Sequence, residues 1–125
     1  MTTTTDTIKI AMSERRPLSI SKEAWPVIAQ ADWWNGEHKC QANYVRRIRV
    51  REHADGRRLV YGTYSSGAGG VPVGFRGAAG GFLVPAHDGA PDDDETIRAI
   101  RCVAGIIGDD AMGAQCIADM PAEDA

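Results

Sequence analysis

The run YVRRIRVREHADGRRLVYGTY, residues 44–64, restricts this chain more than any other part of it. Ala54-Asp55-Gly56 is a tight-turn signal between two stretches rich in β-forming residues, so a β-hairpin is expected. Two turns fit the letters. A two-residue Asp55-Gly56 loop sets Glu52 opposite Leu59. A type I turn with Gly56 at a bulge sets Glu52 opposite Arg58 and Val50 opposite Val60. The second is preferred, because it pairs opposite charges and two β-branched side chains. Either way, side chains alternate along a strand. Ile48 and Val50 therefore face one way, and Arg47, Arg49 and Arg51 the other.

The same run holds six arginines, Arg46, Arg47, Arg49, Arg51, Arg57 and Arg58, in a chain of net charge -3. The charge is split along the sequence. Residues 1–58 carry eleven Lys or Arg against seven Asp or Glu, and residues 59–125 carry three against ten. Arginines at alternate strand positions lie ~7 Å apart on one face. That face is either a solvated exterior, covered in part by the acidic second half, or a ladder for anions. The planar guanidinium fork suits phosphates of a nucleic acid or carboxylates of a protein.

The flanking segments suggest α+β architecture. Ser21 is a candidate N-cap, and Ala24, Val27, Ile28 and Ala31 recur at helical spacing, so an N-terminal helix is expected up to Asn35-Gly36. Pro26 is awkward within it. Trp25, Trp33 and Trp34 would pack this helix on the sheet. Seven glycines fall within residues 67–81. They match neither a P-loop nor a dinucleotide fingerprint, since no lysine stands at the P-loop position and Pro72 replaces the last glycine. Phe82-Leu83-Val84 reads as a third strand. Asp92 and Glu95 form a capping box. Ile97, Ile100, Val103, Ala104 and Ile107 make an apolar stripe, and Asp94 stands four residues before Arg98. Gly108 closes this helix, and Asp109 or Asp110 caps a second one to about Asp119.

The expected fold is therefore a small antiparallel sheet of about three strands with the arginine hairpin at its centre, one N-terminal helix and two C-terminal helices. Residues 13–120 form one domain. Residues 1–12 read as a disordered extension, with Ile8-Lys9-Ile10 as a short edge strand in the alternative, and residues 121–125 as an acidic tail. The acidic groups Asp92, Asp93, Asp94, Asp109 and Asp110 serve mainly as helix caps, or else imitate the phosphates of a nucleic acid.

Catalytic and metal-binding patterns are missing. His38 and Cys40 could offer two ligands, but no CxxC or HxxxH spacing accompanies them. Cys102, beside the apolar stripe, reads as a buried core thiol. No enzyme signature and no cofactor is expected. The first residues lack a basic stretch followed by an apolar one, no run approaches a membrane span, and the cysteine count is odd. Reduced thiols in a bacterial cytoplasm are the expectation.

WPVIAQAD (25–32), CQAN (40–43), RIRVREHADGRRLVYG (47–62) and IRAIRCVAGIIGDD (97–110) together resemble a family of small proteins carried by phages and mobile elements of Gram-negative bacteria. Chains of this kind without enzymatic motifs include anti-CRISPR inhibitors. The resemblance implies a non-enzymatic inhibitor whose partner is a subunit of a type I Cas effector complex. The arginine hairpin and the aspartate clusters are the candidate contact residues. A nucleic-acid-binding or regulatory protein using the hairpin is the alternative. Either could be a monomer or a homodimer, the latter if a hairpin edge is left open.

Overall fold

Six strands and two helices make up most of the described part of the chain, which in this computed structural model comprises residues 6–13, 15–34, 43–67 and 75–122. Strands β1 (Thr7–Ile10) and β2 (Leu18–Ser21) form a two-stranded antiparallel ribbon. Strands β3 (Val27–Trp34), β4 (Asn43–Glu52), β5 (Arg58–Gly67) and β6 (Phe75–Val84) form an antiparallel sheet in sequence order. Helices α1 (Asp93–Ile107) and α2 (Asp110–Asp119) follow. The α+β class holds, but with four strands in the main sheet and both helices at the C-terminal end.

The central hairpin has the preferred register, with Val50 opposite Val60 and Glu52 opposite Arg58. His53 N–H donates to the Arg57 carbonyl at 2.9 Å, and Gly56 N–H to the His53 carbonyl at 2.9 Å. Gly56 takes φ +94°, a left-handed conformation that glycine adopts without a Cβ penalty. The Asp55 carboxylate accepts from the Arg57 N–H and its Nε, at 3.0 and 2.7 Å.

Alternation then builds two cores. Ala29, Ala31, Ile48, Val50, Val60 and Val84 face Ile100, Val103, Ala104, Met112 and Cys116 of the helices. The opposite face of the sheet carries Leu59 and Tyr61, which with Trp25 meet Ile10, Met12 and Ile20 of the ribbon region. Burying a Val, Leu or Ile side chain is worth ~1.5–3 kcal/mol. The fully buried Ile48, Val50, Leu59 and Val60 therefore tie β4 and β5 to both outer layers.

The expected N-terminal helix is a strand. Ser21 does act as a cap, but only for one turn: its Oγ accepts from Ala24 N–H at 3.4 Å and its carbonyl from Trp25 N–H at 3.1 Å. Pro26 then stops propagation, since it has no amide to donate. From there the pattern has period two, with Ala29 and Ala31 buried and Gln30 and Asp32 exposed. Asn35-Gly36 lies outside the described residues.

The N-terminal segment also belongs to the fold from Asp6 onward. Ile8, Lys9 and Ile10 stand opposite Ile20, Ser19 and Leu18 across the ribbon, and Ile10 and Met12 are buried. The chain crosses β6 at residues 11–13, where Ser13 N–H donates to the Gly81 carbonyl at 2.9 Å. A Cβ on Gly81 would stand 2.7 Å from the Ala11 carbonyl oxygen and 2.9 Å from Met12 Sδ, so this crossing requires a glycine.

The hairpin edge proposed for dimerisation is not open, because β4 and β5 are flanked by β3 and β6. On the outer side of β3, the Asp119 carboxylate accepts from Gln30 N–H at 2.9 Å. The N-caps and the C-terminal glycine are as read from the sequence, but of the capping box only the Asp92 half forms, since the Glu95 carboxylate turns to Arg98. Asp92 accepts from Glu95 N–H at 3.0 Å, Asp109 from Met112 N–H at 3.1 Å, and Gly108 is left-handed at φ +81°.

Candidate functional site: a basic groove between the ribbon and the sheet

The six arginines do not form one surface. Arg46 and Arg58 lie on the helix side of the sheet, Arg47, Arg49 and Arg51 on the ribbon side, and Arg57 at the turn. The division follows from strand alternation on β4 and β5.

Arg58 is an internal residue, with its side chain only 6% exposed. Its Nε donates to Glu52 at 2.9 Å, and its Nη1 contacts Asp93 and the Thr96 hydroxyl. It thus ties the hairpin to the first turn of α1. Arg46 lies over the Trp33 ring at 4.9 Å and reaches Asp109 at 3.4 Å. Arg57 pairs with Asp55 and lies 5.1 Å from the Trp25 ring, against which His53 also packs. Trp25 is buried and Trp33 is 38% exposed; the Trp34 side chain is outside the described set.

The aspartates are similarly divided. Asp92 and Asp109 are N-caps, and Asp93 holds Arg58. The Asp92 carboxyl lies below its ordinary range, first because it accepts from the Glu95 amide and then through His87, whose Nε2 is 2.9 Å away. The Asp55 carboxyl is likewise lowered, chiefly by the Arg57 amide. Asp94 and Asp110 are exposed and have no ion pair among the described residues. Arg98 pairs with Glu95 at 2.7 Å rather than with Asp94.

What remains is the ribbon side, where the sheet is not fully covered. A groove of about 410 Å³ runs between β1 and the middle of β4 and β5. Arg47, Arg49 and Arg51 form its floor, Lys9 and Lys22 its outer rim, and Tyr61 one wall. None of its lining residues is acidic. Among the described residues one carboxylate touches the cations from the side: Asp32, 2.8 Å from Arg49 Nη2 and 3.5 Å from Arg47 Nε. Arg51 is fixed by the Tyr61 hydroxyl and the Trp25 carbonyl, each at 2.9 Å. Arg49 also donates to the Ile48 carbonyl at 3.1 Å. Arg47, at 55% side-chain exposure, is the freest of the three. The fixed guanidiniums are preorganised donors, and Arg47 and the two lysines supply mobile charge.

The ladder of Arg47, Arg49 and Arg51 is thus brought together as its alternation implies. Its cover is the ribbon, however, and not the acidic half, which packs on the other side of the sheet. Lys9, Lys22 and Tyr61 were not among the candidate residues. Lys9 lies in residues read as a disordered extension or, in the alternative, as the edge strand Ile8-Lys9-Ile10, and the structure has the strand; the alternation of Leu18-Ser19-Ile20-Ser21 is the signal for its partner.

The two described cysteines are inert or isolated. Cys116 is buried in the helix core, which pushes its thiol up to about 12. Cys102 is exposed rather than buried. It stands two residues, about 200°, from Ile100, which puts it on the opposite side of α1. His38 and Cys40 lie outside the described residues. Among the described residues no cluster of three His, Cys, Asp or Glu could hold a metal, and no helix is long and apolar enough to cross a membrane.

Comparison of the chain with family models, with curated proteins and with solved structures returns no match.

Proposed function

We propose that this chain is a non-enzymatic binding protein of a mobile element, acting in the bacterial cytoplasm as an inhibitor of a type I CRISPR–Cas interference complex. In this reading the basic groove grips an acidic surface of an effector subunit. The observation that carries the binding role is the groove itself, five cations on a partly preorganised floor with one carboxylate at its side.

Charge alone would also suit a nucleic acid, and the exposed Arg47, Lys9 and Lys22 favour that second reading. One feature weighs against it. Single strands are held by bases stacked on exposed aromatic rings, and the groove's aromatic residue, Tyr61, is buried with its hydroxyl bonded to Arg51.

The test is a plaque assay. Bacteria whose type I system targets a phage express the wild-type chain or a variant carrying Lys9→Glu, Lys22→Glu and Arg47→Glu. Phage titre should recover with the wild type in the targeting strain alone, and the variant should lose that recovery while retaining its melting temperature. Titres that stay suppressed across several type I subtypes refute the inhibitor reading.

A further inference from the structure

The groove has a direction, and the direction indicates what fits it. Its upper wall is made by four consecutive residues, Ile8, Lys9, Ile10 and Ala11. A strand that turned one face to a cavity would contribute alternate residues. Consecutive residues mean that the groove runs along the edge of β1.

That edge is unpaired among the described residues, since β1 pairs with β2 alone. The register shows which backbone groups it presents. Lys22 N–H donates to the Asp6 carbonyl at 2.9 Å, so Asp6 and Lys22 are a hydrogen-bonded pair. In an antiparallel ladder such pairs alternate with non-bonded ones. The pairs Ile8–Ile20 and Ile10–Leu18 therefore exchange hydrogen bonds, and Thr7 and Lys9 do not. The amide and carbonyl of Thr7 and Lys9 point away from β2, along the groove side of the ribbon.

The floor has a matching period. Arg47, Arg49 and Arg51 stand at alternate positions of β4 and span ~13 Å. An extended peptide presents alternate side chains at the same spacing, and its backbone can add to an open strand edge. We infer that the groove binds an extended acidic segment of a partner protein, which pairs its backbone with Thr7 and Lys9 of β1 and sets alternate carboxylates over Arg47, Arg49 and Arg51. This deepens the proposed function by naming the kind of surface recognised, and it rests on that reading only for the identity of the partner. Charge complementarity selects the occupant: a segment of alternating Glu or Asp neutralises cations that Asp32 alone leaves in excess.

The experiment uses the full chain and a fluorescein-labelled peptide, Val-Glu-Val-Glu-Val-Glu-Val, followed by fluorescence anisotropy. Saturable binding is expected, weakening with added salt, and none with the Val-Lys counterpart. Arg47→Glu with Lys22→Glu should weaken binding by about tenfold or more with no change in melting temperature. Two methylated peptides probe the strand pairing. In an extended chain the amides of the Glu set all point to one edge and those of the Val set to the other. N-methylation of one set should abolish binding, and methylation of the other should leave it intact.

If both methylated peptides bind equally well, strand addition is refuted. If the acidic peptide does not bind, or a single-stranded oligonucleotide of equal charge displaces it at lower concentration than unlabelled peptide does, the acidic-segment assignment is refuted. The plaque assay reports separately. Peptide binding without phage rescue sinks the inhibitor reading and leaves the groove's specificity standing, whereas rescue without peptide binding does the reverse.

Discussion

Replacing Arg58 with methionine tests whether this arginine is a structural strut. The side chain is 6% exposed and bonds to Glu52, Asp93 and Thr96. Each charge-assisted hydrogen bond contributes ~1.5–3 kcal/mol. Glu52 and Asp93 retain 31% and 50% side-chain exposure, so both carboxylates rehydrate once released. The loss should therefore fall at or below the low end of the ~3–5 kcal/mol seen when a buried pair is broken, and about 3 kcal/mol is the working value. The unfolding entropy of a domain is ~2.1 cal/mol/K per residue. For this length that gives roughly 4 °C per kcal/mol, so thermal unfolding followed by circular dichroism should show a fall of about 12 °C. Arg47→Met is the control. Its exposed pair with Asp32 is worth at most ~1 kcal/mol, and a shift of no more than a few degrees is expected. Adding Glu52→Gln and Asp93→Asn to Arg58→Met should recover little of the loss, because the released carboxylates are already hydrated. An Arg58→Met protein that melts within about 3 °C of wild type would refute the argument.

Three further outcomes follow from the geometry. The Asp92 carboxyl is lowered in the folded chain, so its stabilising effect is present above its unfolded value of about 3.9 and is lost as pH falls through the folded one; Asp92→Asn should flatten the acid side of a melting-temperature profile taken down to about pH 2. Labelling with an aromatic disulfide, read by peptide mass mapping, should modify Cys102 at once and Cys116 only on unfolding, because the latter is buried with its thiol near 12. Gly81→Ala should destabilise by ~1–3 kcal/mol and expose Met12 to oxidation, since the new Cβ meets the Ala11 carbonyl and Met12 Sδ; unchanged stability and unchanged sulfoxide formation would show that the crossing segment adapts freely.

The sequence and the structure agree where the determinants are local. The Ala54-Asp55-Gly56 turn, its register and the caps at Asp92, Gly108 and Asp109 are decided by residues within a few positions of one another. They disagree where a distant partner decides. Val27–Trp34 has both a helical and an alternating reading, and the strand wins because Ala29 and Ala31 let α2 approach the sheet while β4 supplies the hydrogen bonds. Cys102 was misjudged because lying beside a stripe in sequence differs from lying on it in space. The ribbon was half legible, as the alternative edge strand Ile8-Lys9-Ile10, while its partner Leu18–Ser21 was not read. Two four-residue strands carry too weak a signal to pair across seven intervening residues, and only the core beneath them, Ile10 and Ile20 against Leu59 and Tyr61, gives them a reason to form.

The concentration of arginine in one acidic chain then has a physical account with three parts. A hairpin central to a three-layer fold must present both faces to other layers, and it cannot do so with apolar residues alone where the layers end. Arg58 meets Asp93 in the first turn of α1, and Arg46 meets Asp109, the N-cap of α2. Arg57 closes the turn with Asp55. Those three have partners from the fold itself, and their charge is accounted for. Among the described residues Arg47 and Arg49 share one carboxylate and Arg51 meets none, in a groove that two lysines make more positive still. Stability alone would be served as well by a threonine or a glutamate at position 47, on an exposed stretch of floor beside four other cations. A like-charged cluster lowers the free energy of folding little or raises it, so its presence in one groove is the feature that a structural role leaves unexplained and that the proposed acidic ligand would explain.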